Sequence, residues 1–418
     1  MQMMTLVCAV CRSLARKWMV VLFMGTCLLY CARMTMPVCV VSMAASFHWS
    51  KIDSGLILGG FFWGYCFTQI LGGHVSDKLG GERVLFISAA SWALITAATP
   101  LLACLGSHTL ALMAVARILM GLLQGVFFPS LASLCSQRVE EGERGFLMST
   151  MHSGTHLGTL LAGGMGSLML DRYGWEAMFY CTGFLSGLWA LVVWRYLLRG
   201  TAAKQKVTKI LQDLLLLSSV FRAMVFAHMC LSSTSYILLS WLPTYFKETF
   251  PHATSWVYNV IPWLIAIPSA LGGGFVSDFL ITKGYGVASV RKIMQSFAMG
   301  LSSMCILPLS GAVTFQSAVI CISFAVGLTT FTSGGVSVNV QDLTPSCAGA
   351  LYGFMNMMGA FMGLVLVSFS GYLIEVTLSW AKVFSLITLV NTTGLGIFLF
   401  FGDARRVDLQ DNSQIIVV

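Results

Sequence analysis

The chain has 418 residues, of which 57% are hydrophobic and only 10% charged, with a formal net charge of +8. That is too little charge to cover a water-soluble globule of this size, so most of the surface must face lipid. A bilayer core about 30 Å thick takes roughly 20 apolar residues per helical crossing, so this length holds about twelve crossings and little else.

The first apolar run follows Arg12, Arg16 and Lys17. It is longer than a signal-peptide core and reads as a transmembrane helix. Apolar segments bounded by Gly, Pro and charge clusters predict spans at 18–43, 54–75, 83–105, 108–136, 146–170 and 175–197. A second set follows at 218–245, 255–280, 289–311, 313–338, 346–373 and 379–402. The expected organisation is an N-terminal six-helix half (1–197), a linker (198–217), a C-terminal six-helix half (218–402) and a tail (403–418).

With both termini cytoplasmic, the 24 Lys and Arg divide into 18 on the cytoplasmic side, four on the other (Lys51, Arg172, Lys247, Lys382) and two inside spans. This satisfies the positive-inside rule. The cluster from Arg195 to Arg222 is therefore a loop between spans six and seven, beside anionic lipid, and not a site for a nucleic acid polymer. The 13 cysteines are scattered through apolar stretches and read as small buried side chains. Cys8 and Cys11 form a lone CxxC without a second pair.

Gly72-Gly73-His74-Val75-Ser76-Asp77 recurs 201 residues later as Gly273-Gly274-Phe275-Val276-Ser277-Asp278, at the same place in each half. Asp171 and Trp175 before span six are likewise echoed by Glu375 and Trp380 before span twelve. Two parallel six-helix repeats are the signature of the major facilitator architecture, an all-α polytopic fold of twelve helices. Gly73, Asp77, Lys78, Gly80 and Arg83 resemble that superfamily's loop between spans two and three. The resemblance implies a gating role for Gly73, Asp77, Lys78 and Arg83, and for Asp278 in the second copy, with Arg291 and Lys292 further on.

All 16 acidic residues lie in loops or near span ends, whereas Arg33 and Arg117 lie well inside spans one and four. A charge at the bilayer centre costs a few kcal/mol, so each must face a cavity or find a partner. An anionic substrate supplies that partner, and the planar fork of arginine suits carboxylate or phosphate. Gly121 and Gly125, four and eight residues after Arg117, form a small-residue stripe on which a neighbouring helix can pack. No core Asp or Glu is present for proton coupling or for catalysis, and no metal-spaced cluster exists, so the chain reads as a carrier without a cofactor and not an enzyme. Phe61, Phe62, Trp63 and Tyr65 in span two, Tyr236 and Trp241 in span seven and Trp263 in span eight are candidate stacking surfaces for a base. His156 and His228 read as packed histidines, and the sequon at Asn391 lies inside span twelve.

Longer strings are similar to the anion transporter family that includes vesicular glutamate, lysosomal sialic acid and phosphate carriers. They are GTCLLYCAR (Gly25–Arg33), FFWGYCFTQ (Phe61–Gln69), RILMGLLQG (Arg117–Gly125), LLSWLPT (Leu238–Thr244), PWLIAIP (Pro262–Pro268) and QDLTPSCAG (Gln341–Gly349). The resemblance makes Arg33 and Arg117 the substrate-contacting arginines. Leu58, Gln124 and Leu231 stand where glutamate carriers have histidine, glutamate and arginine. Uptake of nucleotide anions (ATP, ADP, GTP) into secretory vesicles or lysosome-like organelles is implied, by a monomer working through alternating access and activated by chloride. Driven by the membrane potential, a tetra-anion gains roughly 9 kcal/mol per 100 mV. The alternative is a proton-coupled carrier of sialate or glutamate.

Overall fold

The computed structural model describes residues 2–49, 51–105, 108–139, 141–196, 219–253, 255–311, 314–345 and 348–405. The expected linker and most of the expected tail lie outside these residues, as does the side chain of each CxxC cysteine. Among the described residues all regular structure is helical. The helices of the first half are α1 (Gln2–Phe47), α2 (Lys51–Leu79), α3 (Gly81–Ala103), α4 (Thr109–Gly125), α5 (Phe127–Arg138), α6 (Glu141–Tyr173) and α7 (Trp175–Tyr196). Then come α8 (Ser219–Thr249), α9 (Ser255–Thr282), α10 (Val287–Gln295), α11 (Ser302–Ile306), α12 (Phe315–Thr329), α13 (Val336–Leu343), α14 (Ala348–Thr377) and α15 (Trp380–Phe401).

Among the described residues, nine of the twelve expected spans are long and apolar enough to cross a membrane, including Trp18–Val40, Thr109–Gln137 and Phe315–Leu343. The expected second, fifth and seventh spans fall on α2, α6 and α8, which are 29, 33 and 31 residues long. The chain is a multi-pass membrane protein.

Three spans are not single helices. The fourth breaks at Val126, between α4 and α5. Pro129 explains this, because it has no N–H to offer the Gly125 carbonyl and its ring crowds that oxygen. The ninth carries a π-helical turn at Ser296–Leu301. The tenth narrows to a 3₁₀ turn at Thr330–Gly334, where Gly334 lies against Ser277 and Gly335 against Gln295.

The repeat seen in the sequence reappears in the backbone. Gly80 (φ 94°) turns the chain between α2 and α3, and Gly284 (φ 93°) does so after α9. Before α7 the turn is Gly174 (φ 82°), and before α15 it is Leu378 (φ 50°). Left-handed backbone suits glycine and strains leucine.

The chain forms two compact units. One takes the residues up to Leu134 and from Gly154 to the end of α7; the other takes Cys135–Ser153 and everything from α8 onward. In the first, Trp189 of α7 lies over Gly25 of α1 and donates its indole N–H to the Val21 carbonyl at 2.6 Å. Trp92 stacks on Trp189 at 6.0 Å between centroids. The second has its own core around Tyr245, Phe246, Tyr258 and Phe384, in which Phe246 and Tyr258 stack at 4.9 Å. Asn391, fully buried, accepts from Thr234 Oγ1 at 2.9 Å and donates to Ser303 Oγ at 3.1 Å. The side chain of Asn391 is thus closed within the core. The ten described cysteines are free thiols.

The α2–α4 crossing is made by glycine. A Cβ on Gly64 would fall on the Ile118 carbonyl, one on Gly121 on the Phe61 carbonyl, and one on Gly125 would lie 2.7 Å from the Tyr65 oxygen. Backbone atoms cannot rotate away, so any side chain must push the helices apart. We expect Gly121→Ala to cost about 1–3 kcal/mol, read as a lowered unfolding temperature in detergent. An unchanged unfolding temperature would show that the helices are not pressed together there.

Candidate functional site

The glycine crossing brings Arg33, Arg117, Phe61 and Tyr65 together. On α2, Phe61 and Tyr65 are one turn apart and share a face, with rings stacked at 5.5 Å. The Arg33 guanidinium carbon lies 4.5 Å from the Tyr30 ring centre, 4.8 Å from that of Phe61 and 4.8 Å from that of Tyr65. The Arg117 guanidinium carbon lies 5.1 Å from the same Phe61 ring. Two cations therefore share one aromatic ring. Each such contact contributes about 0.5–2 kcal/mol when desolvated, but ring faces cannot neutralise charge.

Arg117 is 6% exposed, and its Nε makes no hydrogen bond among the described residues. Residues 18–47 of α1, 54–76 of α2 and all of α4 contain no Asp or Glu. The neighbouring charge is the like charge of Arg33. A buried guanidinium without a carboxylate beside it is costly unless an anion arrives.

Arg33 is held from its Nε, which donates to Gln124 Oε1 at 3.3 Å. Gln124 is fully buried, and its Nε2 donates to the Leu29 carbonyl at 3.2 Å.

The other sequence candidates fall elsewhere. Trp63, two residues after Phe61 and so on the far side of α2, is 71% exposed and does not join the cluster. Tyr236 belongs to the second unit, where its ring lies on Gly363. Trp241 in that unit packs on Gly371 and donates to the Val367 carbonyl at 3.1 Å. His228 is buried, bonded to Asn356 and tilted on the Tyr352 ring at 6.4 Å.

The two copies of the loop motif differ in surroundings. In the first, Asp77 and Gly73 are buried, while Lys78 and Arg83 are exposed. Ser76 bonds Ser130 across to α5 at 2.6 Å. In the second, both Asp278 oxygens accept backbone N–H groups near the start of α6, from Gly145 at 3.2 Å and Phe146 at 2.6 Å. Gly145 permits the approach, since a Cβ there would lie 2.5 Å from Asp278 Oδ1.

Beside Asp278 lies a buried charge cluster. Asp342 accepts from Arg291 Nε at 2.8 Å through one oxygen and from Arg144 Nη1 at 3.3 Å through the other. Arg291 also donates to Ser277 Oγ at 2.7 Å and the Gly334 carbonyl at 3.0 Å. Arg144 reaches the carbonyls of Ser136, Val139 and Gln341 at 3.0–3.2 Å. The sequence reading named Arg291 but missed the roles of Arg144, Asp342, Tyr30 and Gln124. Asp342 lies in the QDLTPSCAG string, and Tyr30 one turn before Arg33, so a faint signal existed for both.

A family model described as the Major Facilitator Superfamily matches residues 21–367. The chain is 50% identical over 410 residues to a Mus musculus protein named voltage-gated purine nucleotide uniporter SLC17A9, covering 95% of this chain and 92% of that one. The Homo sapiens protein of the same name is 48% identical over 415 residues, covering 96% and 95%. The chloroplastic ascorbate transporter of Arabidopsis thaliana is 30% identical over 414 residues, covering 94% and 76%. Among solved structures, the transporter FucP in its outward conformation superposes with a TM-score of 0.72 at 14% identity, over 92% of this chain and 98% of that one. The proton:xylose symporter XylE gives 0.72 at 14% identity, over 94% and 98%. At such identities the likeness is one of fold alone.

Proposed function

This chain belongs to the Major Facilitator Superfamily, and from that premise we propose that it is a uniporter of purine nucleotide anions, driven by membrane voltage. The observation that carries this reading is Arg117: buried, beside Arg33 over one ring, and without a hydrogen bond at Nε. A polyphosphate is the counter-ion such a pair calls for, because each guanidinium can donate two parallel N–H bonds to phosphate oxygens. Membrane voltage is a sufficient drive, at about 2.3 kcal/mol per elementary charge per 100 mV. The chain is a carrier and not an enzyme.

Finer points extend the same reading. The carrier loads secretory vesicles or lysosome-like organelles, with both termini in the cytoplasm, as a monomer and with chloride as an activating ion. Arg33, Arg117 and Tyr65 hold the substrate, with Tyr236 contributing from its own unit. Gly73, Asp77, Lys78, Arg83 and Asp278 serve the alternating-access cycle.

The test is uptake of labelled ATP by the purified protein in liposomes, under an inside-positive potential and no pH gradient. Uptake that follows the imposed voltage and is competed by ADP and GTP is expected. Indifference to ATP with uptake of glutamate or sialate on a pH gradient would overturn the nucleotide assignment. Repeating the assay with chloride replaced by gluconate tests the ion: a fall of about tenfold or more is expected.

A further inference from the structure

We propose that Gln124 is the positioning residue for Arg33, and that its amide holds the substrate arginine in a pH-independent way. The inference rests on the nucleotide-carrier reading above. Gln124 stands on α4, two turns after Arg117, and spans the gap to α1 with both ends of its side chain. The orientation of the amide follows from its partners. Arg33 Nε–H can only donate, so it must meet the oxygen; the Leu29 carbonyl can only accept, so it must meet the NH₂.

The geometric consequence is specific. The Nε edge of Arg33 is occupied by Gln124, and the plane of the guanidinium is flanked by Tyr30, Phe61 and Tyr65. A guanidinium held along that edge keeps a fixed orientation toward an oxyanion entering the site. Leu29 lies one turn before Arg33 on α1, so Gln124 fixes the side chain against its own helix. The position selects strongly among residue types. Leucine or methionine can do neither job. A carboxylate can accept from Arg33 but repels the Leu29 carbonyl. A protonated carboxyl reproduces both bonds, its C=O accepting from Arg33 and its O–H donating to Leu29.

The titratable and charged groups around the Arg33–Gln124 pair are Tyr30 on α1, Tyr65 on α2 and Arg117 on α4 itself. On α3 such groups are confined to Glu82 and Arg83 at its start, where Gly81 meets Ser130. On α6, which packs on α1 through Gly158, His152 and His156 lie nearest in sequence to that contact, and Glu141, Glu143, Arg144, Asp171, Arg172 and Tyr173 fall toward the helix ends. Titration of any of these appears equally in the wild type, so the difference between variant and wild type isolates position 124.

The experiment compares wild type, Gln124→Glu and Gln124→Leu in liposomes under a fixed inside-positive potential, with the KM and maximal rate for ATP measured from about pH 5.5 to 7.5. Each variant must first give a monodisperse, folded protein. For Gln124→Glu we expect a KM about tenfold or more above wild type at the alkaline end, falling back toward wild type as the introduced carboxyl takes up a proton. Gln124→Leu should show a raised KM at every pH and no recovery. If wild type takes up ATP but Gln124→Glu matches it in KM at every pH, Gln124 does not position Arg33. A KM raised equally at all pH values in both variants would reduce Gln124 to a packing residue and also overturns the proposal. If wild type itself ignores ATP, the functional reading fails instead.

Discussion

Replacing Arg117 by methionine is expected to abolish nucleotide uptake while making the empty protein more stable. The two effects have one cause. Arg117 is buried, its Nε makes no hydrogen bond among the described residues, and its charged neighbour is another arginine. On insertion scales such a charge costs about 2.5–3.5 kcal/mol at the bilayer centre, and the ring of Phe61 returns only part of it. Methionine keeps the aliphatic stem and removes the charge, so the unfolding temperature in detergent should rise, by an amount equivalent to about 1–3 kcal/mol. Uptake should fall because two charge-assisted bonds to phosphate, at about 1.5–3 kcal/mol each, are lost, which is roughly 10²–10⁴-fold. Lysine at 117 restores the charge but not the fork, so uptake should return only in part. A methionine variant that unfolds at lower temperature than wild type would mean that Arg117 serves the fold, and a site built around its charge would be wrong.

The parts legible in the sequence were those carried by composition and spacing. Lipid solvation, the number of spans and the two-fold repeat follow from apolar run lengths and from a motif repeated at 201 residues. Arg33 and Arg117 stood out because a charge inside an apolar run is expensive wherever it points. Gly121 and Gly125 announced a close helix approach, and Gly121 does lie against the Phe61 backbone. Direction was less legible. Spans that are apolar nearly all round do not say which face is turned inward, so Trp63 and Tyr65 looked equivalent although one is exposed and the other lies beneath Arg33.

Pairings between distant segments were not legible at all. Nothing in the string around Gln124 says that its two ends reach Arg33 and Leu29, 91 and 95 residues away. Asp342 and Arg144 are 198 residues apart and look like ordinary charges at span ends until the fold brings them together. The breaks in the fourth and tenth spans sit between these cases. Pro129 and the Gly334-Gly335 pair mark them in the sequence, but only the packing of Ser277 and Gln295 against the glycines shows why the second break exists.

Neutralising Asp342 should be among the most damaging single changes in the second unit. Its carboxylate is 2% exposed and serves two arginines, one of which, Arg291, is 1% exposed. Asparagine keeps the shape but offers one acceptor oxygen and no charge, leaving two buried guanidiniums facing an amide. Breaking a buried pair from one side costs about 3–5 kcal/mol, so Asp342→Asn should lower the unfolding temperature sharply and reduce the yield of folded protein. Arg144→Gln should be milder, because Arg291 remains to neutralise the carboxylate. The combination Asp342→Asn with Arg291→Met removes both members of the shorter pair and should recover about 1–3 kcal/mol relative to the sum of the single changes. That non-additivity is the decisive readout, since it reports the coupling itself and not the fragility of either position. Strict additivity would sink the claim that Asp342 holds α13 to α10 through its charge pair with Arg291. The same cycle scored by uptake then separates roles: variants that fold but no longer carry nucleotide would mark the cluster as part of the transport cycle, because its members belong to the second unit and Arg33 and Arg117 to the first.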